Sequence, residues 1–169
     1  MKINIADCKI KKLKISDLDS YILFEKLVKS NMEHPEWLGD FSKEDYNFLL
    51  SNNSYIFIWE INNEIAASGM IIPAREQDLT KFFSGDLNYK DVIDFGPEMV
   101  NPKYIGNGLQ QNIINYLQQF SKDMGYKYAL ATVHPDNIYS KANFLKTNFE
   151  ILGEVEFKRG KRIILRKSI

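Results

Sequence analysis

The residues most able to do chemistry form a short turn, Gly106-Asn107-Gly108, directly before a strongly amphipathic segment. Glycines allow a tight turn and let an anion approach the backbone without meeting a side chain. The first amides of a helix have no acceptor within the helix, so they bind anions well. No Lys-Ser/Thr pair follows Gly108, which excludes a Walker A loop, and Gln111 stands where the dinucleotide-binding motif has its third glycine. The turn predicts a phosphate site of another kind, although glycine pairs also occur in ordinary turns.

A second polar segment, His134-Pro135-Asp136-Asn137, follows an apolar stretch that predicts a buried central strand. His134 could act as a general base, because imidazole titrates near neutral pH. It could equally cap the turn at Pro135 and Asp136. Tyr139 follows shortly after and could donate a proton to a leaving group, or it could simply pack against its neighbours. The sequence leaves both alternatives open for both residues.

Two carboxylates, Asp94 and Glu98, fall on one face of a predicted strand at 92–100. An amine that attacks an acyl group must lose a proton, and a carboxylate beside the acyl group could accept it. The alternative is a solvated or ion-paired carboxylate, because charged side chains are mostly exposed. These residues are therefore candidates for the base.

The apolar pattern predicts the elements that must position these groups. Strands are predicted at 3–14, 55–61, 65–72, 92–100, 128–133, 150–157 and 162–166, and helices at 16–32, 42–50, 109–124 and 138–147. Ser16 is the predicted N-cap of the first helix, and the second helix is predicted to start at Ser42. Strands and helices alternate, with one hairpin early and one late, which indicates a mixed α/β or α+β sandwich around one sheet.

Turn-forming residues add three local predictions. Asn62-Asn63 predicts a tight hairpin turn. Gly96-Pro97 predicts a bulge or local opening inside the strand at 92–100. The polar stretch 74–90 predicts a variable insertion or lid, with a helical turn near 79–83.

Composition restricts the class of protein. The 169 residues suit one domain over 1–169, with 44% apolar and 26% charged residues. Lys plus Arg equals Asp plus Glu, at 22 each, so no net charge would recruit nucleic acid or an anionic membrane. The single cysteine excludes an internal disulfide and a cysteine-based zinc site, and no metal is expected. No signal peptide or spanning segment is evident, so the cytoplasm is the expected location.

Three short motifs follow one another in a known order: Val100-Asn101-Pro102, then 105–110 (Ile-Gly-Asn-Gly-Leu-Gln), then Asn137-Ile138-Tyr139-Ser140. In this order and separation, the segment 100–149 resembles the acyl-CoA-binding core of the GNAT acetyltransferase superfamily. The resemblance implies a mostly antiparallel central sheet of six to seven strands flanked by about four helices. It also implies acetyl-CoA as acyl donor.

The resemblance implies roles for particular residues. Backbone groups of Met99 and Val100 would pair with the pantetheine arm like an added strand. Asn137 would hydrogen-bond the pantetheine or the acyl end, and Ser140 would also bind the cofactor. Glu98 would be the carboxylate closer to the thioester. The diphosphate would be held by the turn and the helix start, at Ile105, Gly106, Asn107, Gly108, Leu109 and Gln110.

Three positions depart from the family pattern. Ile105 stands where the family usually has Arg or Gln, and Gln110 stands where it usually has Gly or Ala. Gln110 could crowd the diphosphate or bind it. Phe144 aligns with the tyrosine that is proposed to protonate the departing thiolate, so Tyr139 is the substitute candidate.

The first hypothesis is therefore an N-acetyltransferase that moves an acetyl group directly to a primary amine, with a small molecule or amino acid favoured. The second is a catalytically silent CoA-binding module that acts as a sensor or partner. The third is a phosphate- or nucleotide-binding domain that uses the same turn. A monomer or a homodimer is expected, with no nucleic-acid or membrane partner.

Overall fold

A computed structural model describes residues 1–76 and 87–169 of the chain. Its strands form one sheet in the order β1-β2-β3-β4-β6-β8-β7, with β5 paired to β3 outside this path. They are β1 (Lys9–Lys12), β2 (Tyr55–Ile61), β3 (Glu64–Pro73), β4 (Val92–Phe95), β5 (Met99–Val100), β6 (Tyr128–Val133), β7 (Glu150–Phe157) and β8 (Gly160–Ser168). The predicted mixed, mostly antiparallel sheet is confirmed, since β4 and β6 are the only parallel pair among the described strands.

In the described parts of the chain, four α-helices flank the sheet: α1 (Leu18–Ser30), α2 (Lys43–Ser51), α3 (Leu109–Asp123) and α4 (Ile138–Lys146). No helix in either described range is long and apolar enough to cross a membrane. Ser42, the predicted start of the second helix, is the N-cap of α2 and forms a capping box, in which Ser42 and Asp45 bind each other's backbone amides. The predicted cap at Ser16 is wrong. Residues 15–17 form a 3₁₀ turn, and the Ser16 hydroxyl donates to Asp17 instead.

The first strand is shorter than predicted, covering only Lys9–Lys12. Residues nearer the N-terminus do not join the sheet, because they dock on a distant turn. The amide of Ile3 donates to Asn107 Oδ1 (3.1 Å), and the N-terminal amine donates to the carbonyl of Lys103 (2.7 Å).

The predicted hairpin at Asn62-Asn63 is confirmed. Both asparagines adopt left-handed backbone angles, with φ of 52° and 61°, and they join β2 to β3. Positive φ at both central positions defines the turn type that matches the twist of paired strands.

The strand predicted at 92–100 is interrupted, as Gly96-Pro97 indicated, and this raises the strand count to eight. β4 pairs with β6 from Val92↔Tyr128 to Phe95↔Ala131. β5 then pairs only with β3, through Ser68↔Met99 and Ala67↔Val100. A gap therefore opens between β5 and the C-terminal end of β6. The helical turn predicted at 79–83 lies outside the described residues.

The sheet buries both of its faces. Along β2, Phe57 and Trp59 belong to the core beneath α3 and α4, whereas Ile56 and Ile58 belong to the core beneath α1 and α2. This alternation follows from the two-residue period of a strand. The helices therefore form one layer on each face of the sheet.

Substituting Gly69 by alanine should destabilise the fold, because α3 crosses β3 at this residue. A Cβ placed there would lie 2.4 Å from Ile113 Cγ2 and 3.1 Å from Leu117 Cδ1. Such overpacking costs about 1–3 kcal/mol. Chemical denaturation of Gly69→Ala measures this loss. In a double-mutant cycle, Ile113→Ala should partly relieve the stability loss caused by Gly69→Ala. If the stability losses of the two substitutions simply added, the close contact would be contradicted.

Candidate active site

A cleft of about 810 Å³ lies where β5 and β6 separate, between the N-terminal ends of α3 and α4. The structure places all but one of the predicted site residues on its wall. These are Glu98, Met99, Val100, Ile105, Gly106, Gly108, Leu109, Gln110, His134, Asn137, Tyr139 and Ser140. The exception is Asn107, which supports the turn from behind.

The turn before α3 presents a row of free backbone donors. Gly106 and Gly108 have φ of 83° and 76°, values that residues other than glycine rarely adopt. The first helical hydrogen bond runs from the amide of Asn112 to the carbonyl of Gly108. Within the described residues, the amides from Gly106 to Gln111 donate to no acceptor. A Cβ at Gly106 would meet nothing within 4 Å, so the space beside the row is open.

Asn107 fixes the back of this turn. Its Nδ2 donates to the carbonyls of Met1 and Tyr104 (2.8 Å each), and its Oδ1 accepts from the amide of Ile3 (3.1 Å). These bonds hold the N-terminal segment against the turn. Sequence analysis missed this support, because nothing in the first residues indicates a partner about a hundred positions away.

Gln110 is held against α4 rather than left free beside the amide row. Its Nε2 donates to Ser140 Oγ (3.1 Å), and its Oε1 accepts from Asn143 Nδ2 (2.7 Å). Gln111 Nε2 donates to Asn143 Oδ1 (2.9 Å). This amide network fixes the N-terminal halves of α3 and α4 relative to each other.

Asn137 is the N-cap of α4, and its Oδ1 accepts from the amide of Ser140 (3.1 Å). Its Nδ2 has no partner in the described part of the chain and can still donate into the cleft. Ile105 is 67% exposed, so the cleft margin has an apolar side chain at this position.

Glu98 lies in the turn between β4 and β5. The residue is half-buried, but its Oε1 has no solvent contact and no hydrogen-bond partner among the described groups. Burial raises the pKa of Glu98 well above its usual value, the hydrogen bond to its own amide opposes the shift, and the charge of Asp94 adds to it. A carboxyl with a raised pKa is a stronger base once it has lost its proton.

His134 stacks on Trp37, with ring centroids 5.2 Å apart, and Trp37 stacks in turn on His34 at 4.5 Å. His134 Nδ1 accepts a hydrogen bond from the amide of Asp136 (3.3 Å). A neutral imidazole that accepts at Nδ1 carries its proton on Nε2. This bond supports the turn that follows β6, and His134 also lines the cleft.

Tyr139 is 79% exposed at the cleft, with its hydroxyl unpartnered in the described ranges. Phe144 is 1% exposed and packs edge-to-face on Phe149, at 4.9 Å between centroids. The position that aligns with the family tyrosine is therefore filled by a core side chain.

Comparison with known structures identifies the same architecture elsewhere. An N-acetyltransferase from Staphylococcus aureus shares 16% identity over 95% of this chain and 98% of its own, with a TM-score of 0.74. A ribosomal-protein-alanine N-acetyltransferase from Brucella melitensis shares 14% sequence identity over 95% of this chain and 99% of its own, with a TM-score of 0.75. A phosphinothricin acetyltransferase from Sinorhizobium meliloti, solved with acetyl-CoA, shares 13% sequence identity over 96% of this chain and 89% of its own, with a TM-score of 0.74. These likenesses establish the fold.

No curated protein matches the chain in sequence. The family model of the GNAT acetyltransferases does match it, over residues 21–149. That range contains both strands that border the gap, the glycine turn and the N-terminal end of α4. The chain therefore belongs to the acetyltransferase (GNAT) family.

Proposed function

We propose that the protein is an N-acetyltransferase that moves an acetyl group from acetyl-CoA directly to a primary amine. The observation that carries the proposal is the row of free amides from Gly106 to Gln111, which opens into the cleft beside β5. The family supports acyl transfer, and one structural relative holds acetyl-CoA.

The cleft has the features that a CoA thioester requires. Free amides at a helix start bind a diphosphate, since the helix dipole adds to their donor capacity. β5 pairs with the sheet on one side only, so Met99 and Val100 can offer backbone groups to the amides of a pantetheine arm. Asn137 Nδ2 lies on the opposite wall as a further donor.

Acetyl-CoA would supply an activated acyl carbon. In the proposed reaction a neutral amine forms a new C–N bond, the C–S bond breaks, and one proton passes from nitrogen to the sulfur of the product thiol. Glu98 accepts the proton that the amine loses, because burial raises its pKa and a carboxylate with a raised pKa is a stronger base. Tyr139 is the candidate donor to the departing sulfur.

A second candidate function is CoA binding without turnover. The observation that favours it is Phe144, which is buried in the core where the family tyrosine would lie. Release of free thiol from acetyl-CoA in the presence of an amine panel separates the two functions. A thermal-shift comparison of CoA with ATP and NAD tests the third alternative, a nucleotide domain.

Gly106→Ala should weaken CoA binding by at least about tenfold, because the new methyl group would project into the open space beside the amide row. Isothermal calorimetry with CoA measures the effect. Gly125→Ala is the matched control. Gly125 has φ of 91°, a Cβ placed there would also meet nothing within 4 Å, and this glycine closes the far end of α3.

Both glycine variants should lose similar stability, about 1–2 kcal/mol for a left-handed alanine. Only Gly106→Ala should lose CoA affinity. Equal affinity for CoA in the two variants would contradict a diphosphate site at this turn.

Glu98→Gln should lower kcat/KM by about 100-fold or more, because the amine loses its proton acceptor. In the wild type, the rate should rise with pH as Glu98 becomes ionised. This rise should occur at a pH above the usual pKa range of glutamate. The pH–rate profile measures this dependence. Glu156→Gln, an exposed change on β7, is the control.

The same Glu98→Gln variant should be more stable than the wild type at neutral pH. The folded pKa of Glu98 is raised, so its protonated form contributes stability below the unfolded value of about 4.3. That stability is lost as pH rises through the folded value. Thermal melts should show the advantage at pH 8, equivalent to about 1–3 kcal/mol, and none near pH 4. The opposite pH trend would show that Glu98 is not buried as a neutral acid.

Tyr139→Phe should lower kcat by about 10- to 100-fold and leave CoA affinity unchanged, because only the hydroxyl proton is lost. Steady-state kinetics and calorimetry measure the two quantities. Tyr128→Phe, on β6 and outside the cleft wall, is the control. An unchanged kcat in Tyr139→Phe would assign the thiolate proton to water.

A further inference from the structure

A second cavity, of about 770 Å³, adjoins the cleft. It is bounded by α2, the ends of β3 and β6, and the β7–β8 hairpin. The residues that line both spaces are Phe41, Ile72, Asp94, Thr132, Arg159 and Arg162. The two spaces therefore share a wall, and Asp94 is part of it.

Arg162 is the most unusual group on this shared wall. It is only 6% exposed, and its Nη1 donates to the carbonyls of Arg159 (3.1 Å) and Lys161 (2.8 Å). It forms no ion pair with any carboxylate of the described residues, and its Nε and Nη2 have no partner there. Strand register fixes its place, because the next residue, Ile163, pairs with Val133 at the end of β6.

The acids that line the second cavity near the hairpin are already engaged. Asp40 pairs with Lys29 (2.8 Å), and Asp45 accepts from the amide and hydroxyl of Ser42 (2.8 and 2.7 Å). The field of Arg159 reaches Asp40, but the two form no ion pair within the described chain.

Among the described residues, the arginine pair has no counter-ion. Within the same part of the chain, the Nη1 of Arg159 donates only to the carbonyl of Leu38 (3.4 Å). Burial, and then the positive charge of Arg159, lower the pKa of Arg162, so keeping this side chain charged costs free energy. An anion bound beside a buried cation offsets this cost when no carboxylate of the protein does so.

We propose that Arg162, together with Arg159, binds a carboxylate of the acceptor, so that the acceptor is a primary amine that also carries a carboxylate, as an amino acid does. A guanidinium binds a carboxylate through two parallel hydrogen bonds, and Arg162 has two free nitrogens for them. Asp94 lines both spaces and Glu98 lines the cleft, so an amine that enters the cleft would face acidic side chains. This inference rests on the proposed function.

The test compares α- and ω-amino acids with their matched carboxamides as acceptors. In the wild type, kcat/KM should favour the acids by about 10- to 100-fold, the effect of a charged hydrogen-bonded pair. Arg162→Gln should abolish this preference, Arg162→Lys should retain part of it, and the KM for acetyl-CoA should not change. Arg166→Gln is the control, because Arg166 lies on the same strand, pairs with Glu150 (2.6 Å) and lines neither space.

A purely structural role for Arg162 would lower the rates for acids and carboxamides alike. An unchanged preference in Arg162→Gln would therefore overturn the proposal. Should Arg162→Gln fail to fold, the ratio of kcat/KM for amino acids to kcat/KM for carboxamides is measured in Arg162→Lys and Arg159→Gln instead. A ratio equal to that of the wild type in both variants would overturn the proposal.

A binding measurement separates this inference from the proposed function. If CoA binds but no amine is acetylated, the proposed function fails. Thermal shifts with N-acetyl amino acids and their amides, in the presence of CoA, then test the carboxylate site alone. Stabilisation by the acids in the wild type, and its loss in Arg162→Gln, would support the site, whereas equal shifts for acids and amides would overturn it.

Discussion

The whole site depends on one broken pairing. β4 follows β6 as far as Phe95↔Ala131, and the chain then turns at Gly96-Pro97, so that β5 pairs with β3 alone. Proline cannot donate to a ladder and glycine tolerates the bend, so pairing to β6 stops here. The gap exposes backbone groups of β5, brings Glu98 to the wall and gives a long ligand access to the sheet interior. A continuous strand would close the cleft.

The second constraint is the rigidity of the glycine turn. Free amides bind an anion strongly when they already point at it, because little ordering remains to be done on binding. Asn107 ties the turn to the N-terminal residues, and the Gln110 network ties the start of α3 to α4. Gln110, which departs from the family pattern, thus belongs to the support of the site.

Local rules explain which features the sequence could predict. The Asn62-Asn63 turn, the helix start at Ser42 and the glycine that ends α3 each depend on residues within one turn of the chain, so the local sequence indicates them. The predicted cap at Ser16 is wrong because a 3₁₀ turn forms over 15–17, just before the helix. The predicted wall residues at the glycine turn and at the start of α4 came from the family motifs.

Non-local contacts explain what the sequence could not predict. Met1 and Ile3 meet Asn107 only after the chain has folded, and His134 meets Trp37 across two loops. Arg162 belongs to an ordinary strand pattern, and its burial without a carboxylate partner emerges only when the hairpin covers the end of β6. The same holds for Glu98, whose raised pKa comes from burial.

The central claim is that the amides from Gly106 to Gln111 bind the diphosphate of CoA. Residue-resolved NMR of the ¹⁵N-labelled protein tests it most directly, through amide shifts and hydrogen exchange with and without CoA. At saturating CoA, these amides should shift and exchange more slowly, while the amide of Gly125 should not change. If millimolar CoA leaves the amides of the glycine turn unaffected in the folded protein, the account of the cleft as an acyl-CoA site is wrong.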